Sequence, residues 1–285
     1  MTVDTPGTGH AEAPFDPEGP FDPDGPGSAG TLFGVDTAPA EARVWITPLP
    51  FDATASGRRG TAQGPEAILE ASTEVDLFDL EFGAVWEAGL AWLAPAPELP
   101  SLNQEAAALV AQVRSGGDHD AARRRVDAIG AHVAALSASA VRDAHAAGRI
   151  PAIVGGDHSV SSGAIAAAAE LCAGVLGVLH IDAHADMRAS YEGFRYSHAS
   201  VFHEVLRQPV VPSALVQVGL RDVGRREWSS VEEHPLVHPW PDQLLARRAA
   251  AGESFDAVLR DLLGPLPEAI WISLDVDGLD PSLCP

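Results

Sequence analysis

The chain has 285 residues, of which 46% are apolar, enough to bury the core of one large α/β domain. Its 40 acidic side chains against 18 basic ones give a formal charge of −22, which excludes a nucleic-acid-binding face. All the basic residues are arginine, so chemistry that needs a lysine, whether a Schiff base or a phosphate-binding P-loop, is excluded as well.

Residues 1–40 are rich in Pro, Gly, Asp and Glu, with FDPEGP and FDPDGP beginning at Phe15 and Phe21. Such a composition predicts a disordered acidic tail, with an arm that docks on a neighbouring subunit through the two phenylalanines as the alternative. Residues 41–285 then form one domain. Residues 42–49 (ARVWITPL) predict the first strand, followed by a loop whose Arg58 and Arg59 read as solvated, with contact to substrate or a neighbouring subunit as the alternative, and a helix opened by Pro65. Strands are expected at 74–79 and 90–93, before a Pro-rich loop. Residues 118–147 are Ala-rich and periodic, a helix that buries Val126, Ile129, Val133 and Leu136. A strand leads into GGDHS at 155–159, a helix covers 161–171, and 174–181 (GVLGVLHI) is a strand buried on both faces. A helix at 199–206, a strand at 214–219, a loop with helices over 223–261 and a strand at 269–274 (AIWISL) complete the chain. This alternation predicts a three-layer α/β/α fold around a mostly parallel central sheet.

The two cysteines, Cys172 and Cys284, lie far apart and imply neither a disulfide framework nor a thiolate metal site, which suits a cytoplasmic protein. The N-terminus has no basic start followed by an apolar core, and no run approaches the roughly 18 apolar residues of a membrane helix. No membrane partner is expected.

Three strand ends carry unusual chemistry: His158 after the first Gly-rich turn, HIDAHAD at 180–186, and SLDVDGLDP at 273–281. Open α/β sheets place their ligands at the carboxyl ends of strands. Asp275 and Asp277, two residues apart, point the same way if extended. Carboxylates this crowded repel one another unless a cation sits among them. His158, Asp182, His184, Asp186, Asp275 and Asp277 make six donors, which suits two metals about 3.5–4 Å apart. Oxygen and imidazole ligands without thiolate favour Mn(II) over zinc, with Co, Ni and Fe also compatible. His180 reads as a buried, hydrogen-bonded imidazole, Asp157 as the partner that orients His158, and Asp280 as the residue that fixes the following turn.

GGDHS, DAHAD and SLDVDGLDP, in this order, resemble the three signatures of the ureohydrolases, the family of arginase, agmatinase and formimidoylglutamase. The resemblance extends to PLPFD at 48–52 and GPEAI at 64–68 and covers roughly residues 40–285. YEGFRYSH at 191–198 is most similar to agmatinase-like members. The resemblance implies an arginase-like fold and hydrolysis of a guanidino C–N bond at two manganese ions, most directly agmatine to putrescine and urea. Other guanidino acids, formimidoylglutamate, and a non-catalytic metal-binding role are the alternatives. It further implies that Asp182 and Asp275 bridge the ions, that His158 and Asp186 complete one, and that His184 and Asp277 complete the other. Asp186 would hold the attacking water, and His198 would relay a proton. Arginases place an asparagine soon after DAHxD; here Met187 and Arg188 follow, which disfavours arginine, while Arg188 keeps carboxylate-bearing substrates open. A homo-oligomer, trimer or hexamer, is also implied. Family members continue past the third motif with a Gly-rich loop and a guanidinium-gripping glutamate, so the expectation is a domain whose C-terminal part is missing from the sequence.

Overall fold

In the computed structural model, residue 27, residues 30–280 and residues 282–283 are described. The repeat at Phe15 and Phe21, and with it the expected tail up to residue 26, lies outside them. Residues 30–40, assigned to that tail from composition, carry a 3-10 turn at Leu32–Gly34. There Leu32 is buried and the Phe33 amide donates to Ser72 Oγ.

The described residues alternate strand and helix. β1 (Val44–Leu49), α1 (Gly64–Ala71), β2 (Leu90–Trp92), α2 (Leu99–Arg114), α3 (Asp120–Ala146) and β3 (Ile150–Gly155) form the first part. α4 (Ser161–Leu171), β4 (Gly177–Ile181), α5 (Val201–Val205), β5 (Ala214–Leu220), α6 (Arg225–Glu233), β6 (Val237–Pro241), α7 (Asp242–Ala250), α8 (Phe255–Leu263) and β7 (Ile270–Leu274) follow. Every strand pairing is parallel, as the sequence predicts, but the strands divide into two sheets, ordered β2-β1-β3 and β6-β5-β4-β7, where one central sheet was expected. α4 ties them together. Its alanines Ala164, Ala167 and Ala169 are fully buried against α3, with Ile153 of β3 and Trp271 of β7 packed on the same cluster.

Small residues permit this close packing. A Cβ on Gly163 would sit 1.8 Å from the Ala134 carbonyl oxygen of α3, so only glycine lets the two helices approach. A second cluster, built on Phe202, Ile165, Val178 and Leu215, joins α4 and α5 to β4 and β5. Each such fully buried side chain contributes about 1.5–3 kcal/mol.

The departures from the predicted elements have physical causes. The strand expected at 74–79 is absent. Ser72–Glu74 is a 3-10 turn, Val75 and Phe78 stay exposed without a strand partner, and Asp79 Oδ1 accepts from the Glu81 and Phe82 amides to close a tight turn. α2 and β6 were not predicted. Pro100 stands in the first turn of α2, where its missing N–H costs nothing, and Leu99, Ala106, Val110 and Val113 line its buried face. β6 contains Pro239 and Pro241 and is tolerated because it pairs only with β5, at the edge.

Candidate metal centre

The register of β4 and β7 builds the site. Ile181 pairs with Leu274, the Asp275 amide donates to the Ile181 carbonyl oxygen at 2.9 Å, and Asp182 and Asp275 therefore leave the sheet side by side. β3 delivers His158 from across the seam, and Asp186 is turned back by a left-handed backbone (φ 52°), a conformation that Asp adopts more readily than most residues. Gly156 makes this approach possible, since a Cβ there would lie 2.2 Å from the Phe51 carbonyl oxygen.

His158 Nδ1 lies 2.7 Å from Asp186 Oδ2, 3.2 Å from Asp182 Oδ2 and 3.9 Å from Asp275 Oδ2. His184 Nδ1 lies 3.3 Å from Asp182 Oδ1 and 3.2 Å from Asp277 Oδ2. Two sets of donors result, His158, His180, Asp182 and Asp186, and Asp182, His184 and Asp277, each with its donor atoms within 4.8 Å of one another. Asp182 belongs to both. Asp275 flanks the first set without joining it, and His180, read from sequence as a buried imidazole only, stands inside it with no exposed surface.

The electrostatics call for a cation. Burial pushes the Asp186 carboxyl up to about 7, with His158 opposing, and burial likewise raises Asp275. Burial also disfavours the Asp182 carboxylate, yet His158, His180 and His184 around it hold it well below the usual range. Asp182 and Asp277 push His184 up to about 11 against burial. On His158, burial is outweighed by Asp182 and Asp186, which raise it well above its ordinary value. Among the described residues, His158 Nδ1 is buried with no hydrogen-bond partner of good geometry although carboxylates crowd it. A nitrogen aimed into oxygens in this way fits a divalent ion, and the donor set is oxygen and imidazole with no thiolate.

The surroundings differ from the sequence reading in two places. His158 is oriented by Ser273, whose Oγ lies 2.8 Å from its Nε2, and not by Asp157. Asp157 instead accepts from Thr54 Oγ1 at 3.1 Å and from the Ser159 amide. Arg59, expected to be solvated, donates to the buried Asp52 at 2.6 Å, and Asp280 holds its turn by accepting from the Ser282 amide. His198 is half-buried. Its amide donates to Thr54 Oγ1, its Nε2 lies 3.2 Å from Ser56 Oγ, and the Tyr191 ring meets it edge-on at 5.5 Å. Burial lowers its pKa, Asp157 opposing, while His184 and His158 stand near enough to add to the lowering. The contacts of Ser273, Thr54, Ser56 and Gln217 were not legible in the sequence, because each joins strands or loops far apart in the chain.

Arg188, the cation that kept carboxylate-bearing substrates open, is committed elsewhere. Its Nε donates to Glu227 Oε2 at 3.0 Å, and its guanidinium lies 5.1 Å over the Tyr191 ring. Three further arginines are paired too: Arg114 with Glu192 and the Ala55 carbonyl oxygen, Arg195 with Glu204, and Arg221 with the Asp277 and Leu279 carbonyl oxygens.

Comparison with known proteins agrees with this picture. The profile of the arginase family matches residues 42–285. The N(1)-aminopropylagmatine ureohydrolase of Thermus thermophilus is 34% identical over 251 residues, 88% of this chain and 72% of that protein. The protein of the same name from Synechocystis is 27% identical over 256 residues, 87% of this chain and 71% of its own. Among solved structures, the agmatine ureohydrolase of Thermoplasma volcanium superposes with a TM-score of 0.66 at 24% identity, over 90% of this chain and 74% of that one. The arginase of Medicago truncatula gives a TM-score of 0.61 at 25% identity, over 85% and 68%. With the three strand-end motifs gathered at one place and a family match across the whole α/β body, the chain belongs to the arginase family and is a ureohydrolase, a hydrolase of guanidino C–N bonds.

Proposed function

We propose that the protein is a binuclear manganese hydrolase that releases urea from a guanidine bearing a cationic tail and no carboxylate: agmatine, yielding putrescine, or its N(1)-aminopropyl derivative. The observation that carries the two-metal reading is Asp182, which is common to both donor sets. In this reading His158 and Asp186 would hold one ion with Asp182, His184 and Asp277 would hold the other, and Asp275, from the neighbouring strand, would add a further carboxylate beside them. Two divalent ions, when bound, supply the Lewis acidity that makes water a nucleophile near neutral pH. Asp186 accepts a hydrogen bond from the attacking water. His198, held by Thr54 and Ser56, delivers a proton to the departing amine.

The substrate class is supported by the Arg188–Glu227 pair, since a substrate carboxylate would have to compete with Glu227 for that guanidinium. The Thermus and Synechocystis relatives are named for the aminopropylated compound, which keeps both tails in view. The test is urea release by the manganese-loaded chain from agmatine, N(1)-aminopropylagmatine, arginine and formimidoylglutamate. Turnover of the first two well above the others is expected; faster release from arginine would overturn the substrate reading. Assembly as a trimer or hexamer belongs to the same proposal. Exposed Phe78, Leu80 and Phe82 beside an apolar groove of about 410 Å³ offer surface for it, and sedimentation velocity checks it. Among the described residues no helix is long and apolar enough to cross a membrane, and a free Cys172 agrees with the cytoplasmic residence we infer.

A further inference from the structure

We infer that Gln217 anchors His180 and through it the orientation of Asp182, making Gln217 and His180 positioning residues for the metal centre; this rests on the reading of Asp182 as a shared ligand. Gln217 and His180 are paired across β5 and β4, and neither has any exposed surface. Gln217 Nε2 lies 2.7 Å from the Ala185 carbonyl oxygen and 3.1 Å from His180 Nδ1. A backbone carbonyl can only accept, so the amide nitrogen, not the amide oxygen, must face Ala185. Its second hydrogen then goes to His180 Nδ1, which has to accept. The ring proton is left on Nε2, and Nε2 lies 2.8 Å from Asp182 Oδ2.

The consequence is a directed chain in which the Gln217 amide donates to His180 and His180 donates to Asp182. The other carboxylate oxygen of Asp182 accepts from the His184 amide at 2.6 Å, so both oxygens are held and the carboxylate plane is fixed between the two donor sets. Gln217 also grips the DAHAD loop at Ala185, between His184 and Asp186. The Phe202 ring packs on the imidazole, its centroid 4.4 Å from that of His180. Gln217 Oε1 is buried without a partner among the described residues, which is understandable if the side chain is retained for its two donors.

The experiment uses the full chain labelled with ¹⁵N-histidine and, in parallel, manganese titration by calorimetry. In the metal-free wild type the His180 ring, assigned by its loss in His180→Gln, is expected as the Nε2–H tautomer. Gln217→Met, close in shape but unable to donate, is expected to keep that tautomer, which the Asp182 carboxylate also favours, but to leave the ring and the Ala185 loop unanchored and bind manganese about 10–100-fold more weakly. In the His180→Gln background, where there is no imidazole for Gln217 to anchor, Gln217→Met is expected to change manganese affinity less than about 3-fold. An Nδ1–H tautomer in the wild type, or wild-type manganese affinity in a folded Gln217→Met, overturns the inference. If the wild type itself binds no manganese, the metal-centre reading fails. The ring signature then still decides whether the donor chain runs from Gln217 through His180 to Asp182, and should Gln217→Met not fold, an Nδ1–H ring in the wild type still overturns the inference while an Nε2–H ring supports it.

Discussion

His198 and Asp52 show how single residues divide the labour around the centre. His198 is not in either donor set, and its contacts are Thr54, Ser56 and Tyr191, so replacing it should leave metal content unchanged while removing the proposed proton donor. His198→Asn is expected to lower kcat by about 10²-fold or more, with two metals per chain retained by elemental analysis. Asp52 works on the loop instead. It accepts from Arg59, the Gly60 amide and Asn103, the chain's only asparagine, and these contacts outweigh burial to hold its carboxyl below its ordinary value of 3.8. A group with a depressed folded-state pKa adds stability that is complete above its unfolded value and is lost as pH falls through the folded one. Asp52→Asn should therefore cost about 1.5–3 kcal/mol at pH 7 and progressively less below about pH 4, measured by urea unfolding. An equal cost at both pH values would show that the charge is not what holds the loop. At this scale the candidate donors were legible because six carboxylates and imidazoles fall within three strand-end motifs. Gln217 and Ser273 were not, since an amide or hydroxyl inside a strand has no distinguishing pattern until the register places it beside a histidine.

The elements that matter most to the site are α4 and the strands it bridges. Periodicity marked α3 correctly, because its apolar positions recur at helical spacing, and a run of alanines marked α4, realised at Ser161–Leu171. It failed at 74–79, where alternation without a neighbouring strand gave a turn, and at β6, where two prolines masked an edge strand. The contact of Gly163 with the Ala134 backbone leads to a prediction at this scale. Gly163→Ala should force α4 away from α3, destabilise the fold by about 1–3 kcal/mol and weaken manganese binding, because the turn carrying His158 runs straight into α4. Thermal unfolding with and without manganese checks it; a variant as stable as the wild type would mean that the helices can part without cost.

Over the whole molecule the excess of acid sets the field in which a substrate arrives. With a formal charge of −22, the protein should draw in a dicationic guanidine and lose that advantage as salt screens it. Raising ionic strength from about 0.01 to about 0.15 M, where the Debye length falls from about 30 to about 8 Å, is expected to raise KM for agmatine with little change in kcat. A KM indifferent to salt would remove the steering role of the surface. The division into two parallel sheets joined by α4 gives the same molecule its central feature, because β3 brings His158 from one sheet while β4 and β7 bring the carboxylates from the other. Sequence alone showed the parallel character but not this seam, since the pairing of strands far apart in the chain leaves no local trace. The most direct test is to count the metal bound to the folded, manganese-supplied chain and to its Asp182→Asn variant. Two ions per wild-type chain and almost none in the variant are predicted, whereas one ion or none in the wild type, or two retained without Asp182, would contradict a centre built around that shared carboxylate.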